Sequence, residues 1–71
     1  MVKHKIKELR EERSMTQSQL AEKLGLNYRT ISHYENGVSQ PDIQTIENLC
    51  KIFEVTAGYL LGIEDEFGAN I

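Results

Sequence analysis

The stretch from Gln17 to Tyr34 constrains the fold more than any other part of the chain. Counted from Gln17, apolar residues fall at offsets 3, 7, 9, 14 and 17: Leu20, Leu24, Leu26, Ile31 and Tyr34. The small residues Ala21 and Gly25 stand at offsets 4 and 8. Leu20, Ala21 and Leu24 recur at spacings of three and four and share one face of a helix. Thr16-Gln-Ser-Gln19 ahead of them has the form of a capping box: the Thr16 hydroxyl accepts from a first-turn backbone N–H, and Gln19 reaches back. Gly25 stops this helix, because glycine enters positive φ at least cost. Asn27 is a good N-cap for the next helix, which runs through Asn36 and stops at Gly37. Two helices joined by a 3–4-residue turn cross at roughly 90–120°, and a side chain larger than that of Ala21 would push them apart. Leu20, Leu24 and Ile31 fill the angle between them. A pair of helices meeting steeply through a tight turn follows from these positions.

The rest of the chain supplies helices to cover that pair. Ile6 and Leu9 give residues 4–13 one apolar stripe in a Lys/Glu/Arg-rich setting. Asp42 caps a fourth helix reaching about Phe53, with Ile43, Ile46, Leu49, Cys50 and Phe53 at core spacing. Thr56 caps a short fifth helix carrying Tyr59, Leu60 and Leu61 and ending at Gly62. Alternation at period two never persists, so no strand is expected. At 71 residues there is room for one domain, read as residues 1–62 with a tail at 63–71. The expected fold is all-α, with five short helices.

Several functional classes drop out. One cysteine cannot form an intrachain disulfide. Cys50, His4 and His33 lack the spacing of a zinc site, and Cys50 reads as a small core residue. No Ser/His/Asp or Cys/His set has a plausible geometry and no glycine-rich loop cradles phosphate, so neither enzyme chemistry, a cofactor nor a small-molecule substrate is expected. Nothing approaches the ~18–20 apolar residues of a membrane span, and no signal-peptide core follows Met1, which points to a cytoplasmic protein.

Net charge is −3, against generic nucleic-acid binding, but it is unevenly spread. Residues 1–40 hold seven Lys/Arg against five acids, and residues 41–71 hold Lys51 against six. One half suits an anion and the other does not.

The positions from Gln17 to Tyr34 form a helix-turn-helix pattern, and here the sequence resembles the phage repressor and Cro type of helix-turn-helix regulators, the Xre family. The resemblance is carried by Ile6-Lys-Glu-Leu-Arg10, Thr16-Gln17, Leu20-Ala21-Glu-Lys-Leu24-Gly25, Ile31-Ser-His-Tyr-Glu35-Asn36-Gly37, Pro41 and Tyr59-Leu-Leu-Gly62. It implies a lambda-repressor-like, five-helix DNA-binding domain over residues 1–62, with the third helix in the major groove and two subunits on one operator. Tyr28, Arg29, Ser32 and His33 share one arc of that helix and match the family's base-reading positions. Gln17 and Asn36 match family positions that contact phosphate, Arg10 and Asn27 are expected to join them, and Arg10 and Glu35 match a pair that bridges the first and third helices in some members, so Arg10 is open to either role or both. Tyr59, Leu60, Ile63 and Phe67 are more apolar than so short a segment needs for its own core, and they are expected to form the seam of a homodimer, with the tail part of it.

The sequence departs from the family pattern at Ser14, where many members carry glycine. Val38-Ser39-Gln40 replaces a loop that is often basic, and Gly58 replaces a frequent acid. The expected function is sequence-specific binding of double-stranded DNA and regulation of transcription, as a repressor on a palindromic operator. Two alternatives stand beside it: an antitoxin or restriction-system controller of the same fold, and a protein-interaction module that has lost DNA binding. The acidic net charge favours the last. The polar arc with Arg29 opposes it, because a protein interface favours aromatic and aliphatic anchors.

Overall fold

The computed structural model describes residues 5–63. They form α1 (Ile6–Glu12), α2 (Gln17–Leu24), α3 (Tyr28–Glu35), α4 (Ile43–Phe53) and α5 (Ala57–Leu60), with no strand among the described residues. The five expected helices are all present.

Four helices begin on a side-chain cap. Both halves of the capping box at α2 form: Gln19 N–H donates to Thr16 Oγ1 at 3.0 Å, and Thr16 N–H donates to Gln19 Oε1 at 2.8 Å. Asn27, Asp42 and Thr56 accept from the first turns of α3, α4 and α5. Each such cap satisfies a backbone donor the helix leaves orphaned, worth about 1 kcal/mol.

The helix ends share one device. After each helix the chain takes a left-handed step, and the next N–H bonds back five residues: Met15 to Arg10, Leu26 to Ala21, Val38 to His33, Val55 to Cys50 and Ile63 to Gly58. Glycine occupies the left-handed position at Gly25, Gly37 and Gly62, but Ser14 (φ 55°) and Glu54 (φ 58°) occupy it after α1 and α4. The substitution of serine for glycine at position 14 therefore falls where positive φ is required, at a cost of about 1 kcal/mol.

Every helix contributes to a single core of Ile6, Leu9, Leu20, Ala21, Ile31, Tyr34, Leu49, Phe53 and Leu60. Full burial of a side chain such as Leu20, Ile31 or Phe53 contributes about 1.5–3 kcal/mol. Ile46 and Cys50 pack against this core, and burial pushes the Cys50 thiol up, away from thiolate reactivity. Ile43 does not join it: the side chain is 77% exposed. Its helical spacing was right, but it opens α4, and none of the described residues covers its side chain.

Two contacts outside the apolar core close the fold. Lys5 N–H donates to Leu60 O at 2.8 Å, and Lys5 Nζ lies 5.0 Å from the Tyr59 ring centroid, so α1 starts against α5. Arg13 donates to Phe53 O at 2.6 Å and Leu9 O at 3.2 Å, with its guanidinium 5.2 Å from the Phe53 ring centroid. This staple joins the ends of α1 and α4.

Candidate nucleic-acid interface

The turn from α2 to α3 sets up the site. Gly25 (φ 70°) releases the chain from α2, and Asn27 Oδ1 accepts from Arg29 N–H at 2.8 Å to start α3. Ile31 and Tyr34 then point inward and are buried. Helical geometry turns the opposite arc outward: Tyr28, Arg29 and His33 are exposed and Ser32 is half-buried. The arc read from the sequence is one continuous polar surface.

Within it, the Arg29 guanidinium lies 5.8 Å from the Tyr28 ring centroid. Asn36 Nδ2 donates to Ser32 Oγ at 3.2 Å across one helical turn. Asn27 uses its side-chain carbonyl as the helix cap, so its amide NH2 takes no part in the cap. Arg29 and Lys7, on neighbouring elements, form no ion pair among the described residues.

Two residues of the phosphate set, Arg10 and Gln17, converge on Glu35. Arg10 Nε donates to Glu35 Oε2 at 2.7 Å, and Arg10 Nη2 donates to Glu35 Oε1 at 3.1 Å. Arg10 Nη1 reaches Met15 O at 2.7 Å. The side chains of Arg10 and Glu35 are only 11% and 3% exposed. The bridge implied by the family resemblance is thus present, and it sets the Arg10 charge against a buried carboxylate. Gln17 Nε2 joins the group by donating to Glu35 Oε1 at 3.1 Å. Burial pushes the Glu35 carboxyl up, but hydrogen bonds from Arg10 and Gln17, with the charges of Arg10 and Lys7, outweigh it and hold the group below the ordinary carboxylate range.

The seam residues divide. Leu60 is fully buried beneath its own protomer's helices and has no surface to offer a partner, so it leaves the seam set. Tyr59 is half-buried and carries Lys5 on its ring, whereas Ile63 is 48% exposed. Phe67, and with it the tail from residue 64, lies outside the described residues, as does His4. Sequence reasoning missed the link from Gln17 to Glu35 and the staple made by Arg13. Nothing in residue spacing announces either, since each joins positions far apart in the chain. Among the described residues no helix is long and apolar enough to cross a membrane.

The family model described as "Helix-turn-helix" matches residues 6–60. Among characterised proteins, the HTH-type transcriptional regulator ImmR of Bacillus subtilis is 34% identical over 61 residues, covering 86% of this chain and 48% of the relative. The cryptic phage CTXphi transcriptional repressor RstR of Vibrio cholerae is also 34% identical over 61 residues, 86% of this chain and 55% of the relative. The HTH-type transcriptional activator BcrR of Enterococcus faecalis is 36% identical over 61 residues, 86% of this chain and 30% of the relative. The chain thus spans about half the length of the first two relatives and less of the third. No solved structure matches it significantly. With the family model covering all five helices and the crossed pair α2–α3 at their centre, the chain belongs to the helix-turn-helix family of the phage repressor and Cro type, the Xre family, whose members are regulators and not enzymes.

Proposed function

We propose that this protein binds double-stranded DNA in a sequence-specific way, as a two-fold homodimer on a palindromic operator, and thereby represses transcription. The observation that carries the reading is the polar outer arc of α3. Tyr28, Arg29, Ser32 and His33 stand on the outside of a helix locked from within by Ile31 and Tyr34. A helix fits the major groove, and each of these side chains offers chemistry that base edges answer. The Arg29 fork suits guanine O6 and N7. His33, one turn further on, donates to guanine or, when neutral, accepts from cytosine N4. The Tyr28 ring suits a thymine methyl, and Ser32 donates or accepts. Gln17, Asn27 and Asn36 flank the arc with neutral amides suited to phosphate oxygens, which fix register.

One recognition helix reads too few base pairs to be selective, which is the reason for a pair with recognition helices roughly 34 Å apart. Tyr59 and Ile63 at the end of α5, with Phe67 beyond, are the proposed contact between subunits. Repression asks only for occupancy of a promoter, and the phage relative RstR is named a transcriptional repressor.

Selection of bound duplexes from a random pool tests class and symmetry together. The expected result is a palindromic consensus, with two protomers per site by sedimentation. One protomer on a non-palindromic site overturns the dimer, and no enrichment overturns DNA recognition.

A further inference from the structure

The Glu35 carboxylate does more than neutralise Arg10. It closes α3, its side chain is 3% exposed, and it receives donors from two other helices: Arg10 of α1 through two nitrogens, and Gln17, the first residue of α2. Gln17 and Glu35 are 18 positions apart, at the outer ends of the crossed helices, far along the chain from the turn that joins them. Turn geometry fixes one end of the α2–α3 pair. The hydrogen bond at 3.1 Å fixes the other.

We infer that Glu35 is a positioning residue for DNA binding, acting through Gln17: it holds the Gln17 side chain so that the second Nε2 hydrogen points to a backbone phosphate. This rests on the DNA-binding reading above. A glutamine side chain in water rotates freely about three bonds and loses that rotamer freedom when it docks. Tethering it to a buried carboxylate removes most of that loss before DNA arrives, and pre-organisation of this kind strengthens binding without adding a contact. The choice of partner suits the task. Arg10 makes Glu35 a fixed anion, an anion is the stronger acceptor, and one bond to Glu35 Oε1 uses one Nε2 hydrogen of Gln17 and leaves the other for phosphate.

The free protein provides the first test. In its NMR spectrum the two Gln17 side-chain amide protons should be widely split, with one shifted downfield and protected from exchange. A pair of protons with ordinary solvated shifts and rapid exchange overturns the proposal. The second test is a cycle on a selected duplex. Gln17→Ala in the wild-type background should weaken binding about fivefold, the worth of one hydrogen bond, with base preference and salt slope unchanged. The same change is then made in an Arg10→Met, Glu35→Leu background, which replaces the buried pair by apolar residues and is expected to fold. There it should cost less than twofold. An equal loss in both backgrounds means that Glu35 is a strut between α1 and α3 alone, and overturns the positioning role while DNA binding stands. Failure of the wild-type protein to select any duplex refutes the DNA reading and this role with it, even where the Gln17 amide is split.

Discussion

The two ends of α3 are built on opposite terms. At its start, Asn27, Tyr28 and Arg29 are exposed, and a single cap made within the turn holds them. At its finish, Ile31 and Tyr34 are buried and Glu35 is bonded to α1 and α2. One end is fixed by everything around it and the other faces outward. The lesson is a division of labour: the anchored end sets where the helix lies, and the free end is available to read. Changes at the anchor should therefore appear as stability and, through Gln17, as affinity, and changes on the arc as base preference.

The largest effect belongs to the anchor. Glu35→Ala leaves the Arg10 guanidinium buried without its partner, and breaking a buried pair in this way costs about 3–5 kcal/mol. For a domain of this size that is most of the stability, so chemical denaturation should show a protein close to unfolded at 25 °C. Acid tests the same bond more gently. The folded-state pKa of Glu35 lies below its unfolded value, so its contribution is complete above the ordinary carboxylate pKa and is lost as pH falls through the folded value. Asp42, lowered by hydrogen bonds from Thr45 at the start of α4, adds to the trend in the same direction. Stability should decline on acidification below about pH 4. If Glu35→Gln leaves the slope of that decline unchanged, the anchor is weaker than its geometry implies.

Salt dependence comes next. From the sequence, about three phosphate-facing cations per subunit, Arg10 among them, predict a slope of log K on log salt near −5. The structure sets Arg10 against Glu35 and occupies Lys5 with Glu8 at 3.7 Å and the Tyr59 ring. With Arg29 assigned to a base edge, Lys7 remains, about two charges per dimer, and the slope should fall to roughly −2. Over a fourfold rise in salt this weakens binding on the order of 10-fold. A titration of affinity at several salt concentrations that returns −5 or steeper would restore Arg10 to the phosphate set and blur the line between anchor and surface.

On the free end, Arg29→Ala should leave thermal stability unchanged and cost about 1–3 kcal/mol of discrimination at one position in each half-site. A uniform loss across all duplexes, with a salt slope smaller by about one unit per subunit, would make Arg29 a phosphate contact. Replacement of Tyr28, Arg29, Ser32 and His33 together with no change in preference would dismiss the arc as a reader.

The sequence showed the outward arc more readily than the anchor, for a physical reason. Caps, glycine stops and helical periodicity act within a few residues, so Thr16, Asn27, Gly25 and the inward pair Ile31 and Tyr34 all lie where spacing put them. The bridge between Arg10 and Glu35 spans 25 positions and was available only through family resemblance; Gln17 on Glu35 and Arg13 on Phe53 were not available at all. Burial at helix ends also escaped periodicity. Ile43 has core spacing but opens α4 and is exposed, and Leu60 has the look of a seam residue but is consumed by its own core. Glu54 gave no warning of its left-handed φ, because nothing in its type favours one.

The smallest effect lies at Ser14, which belongs to neither end of α3 yet serves the anchor. Its left-handed step at φ 55° ends α1 and brings round Met15, whose carbonyl accepts from Arg10 Nη1 at 2.7 Å. A residue with a side chain is strained there by about 1–2 kcal/mol. Glycine relieves the strain but adds freedom to the unfolded chain worth about 0.5–1 kcal/mol, so the gain is the difference. Ser14→Gly should raise stability by up to about 1 kcal/mol, or up to about 4–8 °C in Tm for a domain of this length. Affinity and base preference for the selected duplex should not move, because the change touches neither the arc nor the Gln17 amide. A rise in Tm accompanied by altered preference would mean that the path of the chain at Ser14 tunes the orientation of α3 through Arg10 and Glu35. The anchored end would then contribute to reading, and the division between the two ends of the helix would fail.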